Sequence, residues 1–179
     1  MANIDNPHGL MPLNRNFKGG ASTLSRYIKQ ASYAYAIFKW DPVTRLAGYL
    51  NGPASGITPG TTNLLGVAAQ HSLASVLADD FEVYDQPDAL FDVQEDNSGA
   101  ANAVQAKIGY LGNLTTGAGG SPTRDVSGVE LSGTSINTTS SLDVKLLKLV
   151  PDPSNAFGAW ARFEVLINKH LLNPGVTAT

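Results

Sequence analysis

Three histidines, His8, His71 and His170, are the side chains of this sequence that titrate near neutrality without special tuning. They lie far apart, and no His-x-x-x-His or His-Glu-x-x-His spacing sets two imidazoles on one face for a metal. His71 can be drawn with Ser72 and Asp79 or Asp80 as a triad, but triads are assembled in space, so these residues read as ordinary polar ones. The segment Gly52-Pro53-Ala54-Ser55-Gly56 puts its serine one place too late for a Gly-x-Ser-x-Gly nucleophile elbow. Gly112 and Gly117 have phosphate-loop spacing, yet Ala118 stands where a lysine must meet the phosphate. A calcium loop begun at Asp92 would need glycine at Asn97 and a bidentate acid at Ala103. Without cysteine there are no disulfides, thiolate zinc sites or thiol nucleophile. The expectation is a protein that is not an enzyme and uses no metal or cofactor.

The surface is quiet: 15% of the 179 residues are charged, against about a quarter in an average soluble domain. The apolar share of 42% is ordinary, so the chain can bury a core and fits one domain. The first residues lack the basic and apolar regions of a secretory signal, and no apolar run is long enough to cross a bilayer, so no membrane partner is expected. Residues 1–45 carry six bases and two acids, 46–106 eight acids and no base, and 107–179 six bases and five acids. Such polarity suits head-to-tail contacts between copies, although an acidic hairpin facing water explains it more simply. No Lys/Arg stripe is interleaved with aromatics, which disfavours nucleic acid.

The elements that would position any site are short strands. Residues 1–20, with two prolines, four asparagines and three glycines, read as an extended N-terminal arm that could reach about 65 to 70 Å, onto a neighbouring molecule. Tyr27 to Trp40 supplies one or two strands, and Leu64 to Ala69 a buried strand, with a helix as rival through Leu77. Phe81 and Val83 alternate with polar neighbours, as do Phe91 and Val93, and the turn Asp85-Gln86-Pro87-Asp88 between them suggests a hairpin. Val104 to Leu111 is a further strand candidate. Gly112 to Ser141 is rich in Gly, Ser and Thr and looks like a long loop region with a short strand at Val126 to Leu131. Leu142, Val144 and Leu146 then alternate until Leu147 and Leu149 slip phase as at a β-bulge, and Ala161, Phe163, Val165 and Ile167 mark the final strand. The fold class expected is all-β, a single antiparallel β-sandwich or β-barrel over residues 21–179, with Phe81, Val83, Phe91, Val93, Val144, Phe163, Val165 and Ile167 in its core.

Several segments in order resemble head decoration, or cement, proteins of tailed bacteriophages. They are the opening Asn6-Pro7-His8-Gly9-Leu10-Met11-Pro12-Leu13, Asp41-Pro42-Val43, Leu65-Gly66-Val67, the run from Val83 to Gln94, and the close from Phe163 to His170. The resemblance implies a structural virion protein, made in the host cytoplasm, that binds the outer capsid surface and cements neighbouring capsomers. Its partner would be the major capsid protein, and its own state a homotrimer, with a dimer as alternative. Interface candidates are Leu10, Met11, Leu13, Arg15, Phe17 and Lys18 of the arm and Glu82, Asp85, Asp88 and Asp92 of the acidic run. The arm is expected to order on a neighbouring subunit and to be dispensable for the domain's own stability. The rival reading is a small-ligand-binding β-barrel or a hydrolase with residues 112–137 as a lid.

Overall fold

Alternation places one face of a strand indoors but does not choose its neighbour. In the computed structural model, which describes residues 3–31, 33–53, 57–74, 78–98, 103–115 and 120–173, Asp79–Tyr84 and Ala89–Gln94 are the strands β6 and β7. Phe81, Val83, Phe91 and Val93 are fully buried, as their phase requires. The two strands nevertheless do not pair. β6 lies between β2 (Ser25–Lys29) and β5 (Gly66–Ala68), whereas β7 lies between β1 (Met11–Asn16) and β10 (Arg162–Ile167). The expected hairpin is thus a corner that passes the chain from one sheet to another. Buried Asp85 fixes it, accepting hydrogen bonds from Ser25 Oγ at 2.9 Å and the Tyr27 hydroxyl at 2.6 Å, both on β2. The Ala89 amide then donates to the Gln86 carbonyl at 3.1 Å and turns the chain into the second sheet.

On the first side of the corner, β2, β4 (Tyr49–Asn51), β3 (Pro42–Leu46), β5 and β6 close into a barrel in that order. All its pairings are antiparallel except β2 with β4, which meet in parallel at Lys29 and Leu50. Tyr33, Ile37, Val43, Leu50, Leu65, Ala68, Phe81 and Val83 fill it. Gly66 permits the closure, because a Cβ there would stand 2.2 Å from the Tyr84 carbonyl oxygen.

On the other side, β1, β7, β10, β9 (Val144–Leu149) and β8 (Leu111–Gly112) form an antiparallel sheet. Phe163 pairs with Leu149 and Val165 with Leu146, so Leu147 is the extra residue of a bulge where the sequence slips phase. All eight side chains expected in the core are buried. The run Leu64 to Ala68 shows no alternation because it is covered on both sides: Leu64 and Val67 join the sheet's core, Leu65 and Ala68 the barrel's. The strand expected from Val104 to Leu111 is instead a 3-10 turn at Gln105–Lys107, and Gly109, at φ +90°, interrupts the extended chain before β8. Val126 and Leu131 make isolated bridges rather than a strand, while residues 116–119 of the expected loop region and 75–77 of the Ala-rich stretch lie outside the described residues.

The N-terminal segment differs most from expectation. Leu10 is fully buried in the sheet's core, and Met11–Asn16 is an edge strand of this chain's own sheet, with Met11 opposite Asp92 and Pro12 opposite Phe91. Pro12 is tolerated because an edge strand can spare an amide, and the left-handed Asn14, at φ 53°, falls where the register breaks between Pro12 and Asn16. Phe163→Ala is expected to cost about 3 to 5 kcal/mol and Leu10→Ala about 2 to 5 kcal/mol in urea unfolding. A loss below ~1 kcal/mol at Leu10 would show that this segment is not part of the core.

Candidate functional site

The outer face of the sheet carries charge that is not left to solvent. Asp92 of β7 and Glu164 of β10 stand directly opposite each other and are both buried, an arrangement that repels unless cations flank it. Arg162 donates to the Asp92 carboxylate through Nη2 and, at 3.3 Å, through Nε, and its Nη1 reaches Asp152 at 3.4 Å. Arg15 Nη2 lies 2.5 Å and Lys148 Nζ 3.4 Å from Glu164 Oε1. His8 Nε2 approaches Asp92 Oδ1 at 3.4 Å. Burial pushes the Asp92 carboxyl up, but hydrogen bonds and charge from His8 and Arg162 outweigh it and hold the group below the usual carboxylate range.

Residues 3–8 are strapped over the end of β7 by side chains that are fully engaged. Asn3 Nδ2 donates to the Ala156 and Ala159 carbonyls at 2.8 and 2.7 Å, while its Oδ1 accepts from the Ala156 amide at 2.9 Å. Gln94 grips the strap from below, donating to the Ile4 carbonyl at 2.7 Å and accepting from the Asn6 amide at 2.8 Å.

Between this strap, Arg124 and Val126, and the segment leading into β10 lies a half-open cleft of about 590 Å³. The chain has two tryptophans, and both Trp40 and Trp160 line it. Both have left-handed backbones, with φ of 69° and 53°, which is rare for a bulky residue and costs of order 1 to 3 kcal/mol each. Each tryptophan is the third residue of a tight turn, closed by the Asp41 amide on the Phe38 carbonyl at 3.1 Å or by the Ala161 amide on the Gly158 carbonyl at 3.2 Å, and neighbouring elements hold it in place. The Trp40 amide donates to Ala68 at 2.8 Å and its carbonyl accepts from Leu10 at 3.0 Å. The Trp160 amide donates to Glu95 Oε2 at 3.1 Å and its carbonyl accepts from Gln94 Nε2 at 3.3 Å. Arg124 Nη1 donates to Asn6 Oδ1 at 2.7 Å, and exposed Asp5 completes the wall.

A separate surface lies on the barrel. Leu46 pairs with Tyr49, and the parallel register of Lys29 with Leu50 brings Ile28 beside Tyr49. Ile28, Tyr49 and Leu46, 50, 40 and 57% exposed, therefore form an apolar row across β2, β4 and β3, next to exposed Arg26.

The sequence-derived candidates are scattered over these features. Met11 lines the cleft, and Arg15 joins the charged face with Asp92. Leu13 is half-buried on β1. Leu10 is in the core and so is no free anchor. The Phe17 amide donates to the Asp88 carbonyl at 2.7 Å, placing exposed Phe17 and Lys18 beside the corner. Glu82 faces Arg26 at 3.5 Å on the barrel. Asp85 and Asp92 are buried and paired within the chain, so the acidic run is not a solvated hairpin. The drawn triad does not assemble: Ser72 Oγ accepts from buried Lys29 Nζ at 2.5 Å, and His71 pairs with Asp125 at 3.0 Å while stacking on Phe38. His170 is fully buried, and burial pushes its pKa down to about 4, keeping it neutral. Among the described residues no group of three or more ligating side chains could hold a metal. The tryptophan pair escaped the sequence reading, since each sits at a strand approach where an aromatic reads as core. The fold is that of an all-β protein, and no family model, curated protein or solved structure matches the chain.

Glu130 gives the cleft's surroundings a pH dependence. Burial, with the charges of Asp5, Asp96 and Glu95, pushes its carboxyl up to about 7. A folded-state value above the unfolded one means that this group stabilises at low pH and that the contribution is lost as pH rises from about 4.5 through 7. Glu130→Gln should raise Tm by a few degrees at pH 8 and have little effect at pH 4, and equal shifts at both would show that Glu130 titrates normally.

Proposed function

We propose that this chain is a structural protein of a phage virion that binds the outer surface of an icosahedral capsid and cements neighbouring capsomers. The segments that resemble decoration proteins motivate the reading, and the observation that carries it is the row Ile28, Tyr49 and Leu46. Exposed apolar side chains on adjacent strands gain free energy only when another surface covers them, at about 25 cal/mol for each Å² buried. Repetition over a lattice then turns modest contacts into durable attachment. The shell is the occupant, with the chain acting as a homotrimer and a dimer as alternative. The exposed pair Phe17 and Lys18 is a second contact point for the same partner.

The rival, a small-ligand-binding protein or a hydrolase with residues 112–137 as a lid, draws support from one specific feature, the cleft, to which Arg124 and Val126 of that segment contribute. Binding without turnover is the simpler use of it.

Purified protein mixed with emptied shells is expected to co-sediment, and the double substitution Leu46→Glu, Tyr49→Glu to weaken attachment at least tenfold, about 1.4 kcal/mol, with Tm unchanged. No co-sedimentation by wild-type protein, together with its absence from virions by mass spectrometry, would overturn the proposal.

A further inference from the structure

We propose that the cleft between Trp40 and Trp160 is a saccharide-binding site that takes a neutral hexopyranose unit. This goes beyond capsid attachment and does not depend on it. Both tryptophans stand at the third position of a tight turn, held there by hydrogen bonds from other elements, and both border an open cleft, Trp40 while also packing against the sheet's core with Lys39 Nζ 5.0 Å from its ring centroid. Indole faces are broad and apolar, and they suit a ligand that has an apolar ring face of its own.

The polar groups decide which ring. Arg162 faces both Asp92 and Asp152, so its charge is matched inside the protein, and the cleft wall that carries Arg124 also carries the Asp5 carboxylate. That argues against a phosphate or carboxylate ligand. A wholly apolar ligand would strip water from Asp5, Asn6 and Arg124 and return no hydrogen bonds. A neutral sugar meets both demands: its C–H face stacks on indole, while its hydroxyls donate to the Asp5 carboxylate and accept from the Arg124 guanidinium. The volume of about 590 Å³ lies within the range of small-ligand pockets.

Because both tryptophans of the chain line the cleft, their emission, excited selectively over that of the six tyrosines, reads this site alone. The full-length protein is titrated with maltose, cellobiose, lactose, mannobiose and di-N-acetylchitobiose, and in parallel with inorganic phosphate and a phenylalanine-containing tripeptide. The expected result is a saturable change with at least one disaccharide at about millimolar Kd, and none with phosphate or the peptide. Trp160→Ala should weaken that binding at least tenfold. Should this variant fail to fold, Asp5→Asn and Arg124→Ala, at exposed positions, should each weaken it several-fold with Tm unchanged. A flat response to every sugar up to about 10 mM, or a response to phosphate or the peptide alone, overturns the proposal.

Discussion

The corner from Tyr84 to Ala89 is the constraint on which the architecture rests. Two consecutive strands joined by a four-residue turn ordinarily pair, yet here each already has two other partners. Were β6 and β7 to pair, each would have to give up one of those partners, opening either the barrel or the middle of the sheet. A buried carboxylate at the hinge makes the alternative costly, because Asp85 would lose its two hydroxyl donors while remaining desolvated. Burial and hydrogen bonding to Asp85 in turn push the Tyr27 hydroxyl's pKa far above its usual value, so it stays a donor at every pH the protein meets. β5, covered on both faces, is the wall that the barrel and sheet cores share.

A second chain of dependence runs from the sheet's charged face to the cleft. Removing one member of a buried ion pair leaves the other uncompensated, a loss of about 3 to 5 kcal/mol, so Asp92 and Arg162 hold each other in place more firmly than a surface pair would. His8 is drawn to the same carboxylate, and two residues on, Leu10 enters the core and its amide holds the Trp40 carbonyl. Gly9 makes that descent possible: at φ +71° its missing Cβ would lie 2.4 Å from Ser127 Cβ. The geometry at Trp40 therefore depends on how residues 3–10 are tied down as well as on its own turn, which the Asp41 amide closes on the Phe38 carbonyl at 3.1 Å.

This explains which features were legible in the sequence. Alternation is local, so the buried faces of β6, β7, β9 and β10 and the bulge at Leu147 could be read directly. Pairing is not local, and nothing in Asp85-Gln86-Pro87-Asp88 announces that the carboxylate at its head will turn towards β2. A segment with Pro, Asn and Gly between occasional apolar residues has the same composition whether it reaches another molecule or lies along an edge of its own sheet, and the burial of Leu10 decides between them. Charge counting failed for a related reason: the excess of acids from 46 to 106 is real, but Asp85, Asp92 and Glu95 are buried rather than facing water. The cleft was illegible because its walls come from residues 3–8, 40, 94, 124–126 and 154–162, brought together by topology alone.

The apolar row and the cleft lie on different faces of the fold, and their independence can be argued from the covalent path. Trp40 is two residues before β3, the strand that ends at Leu46, so one strand joins a cleft wall to the barrel surface. Between them, Asp41 is buried, with its Oδ2 accepting from the Phe38 amide at 2.7 Å, and burial pushes its pKa up to about 6. The barrel pairs β3 on both sides, which anchors this path against movement. Occupancy of the cleft can then alter the rings without displacing Leu46, so the two surfaces are mechanically separate although one strand connects them.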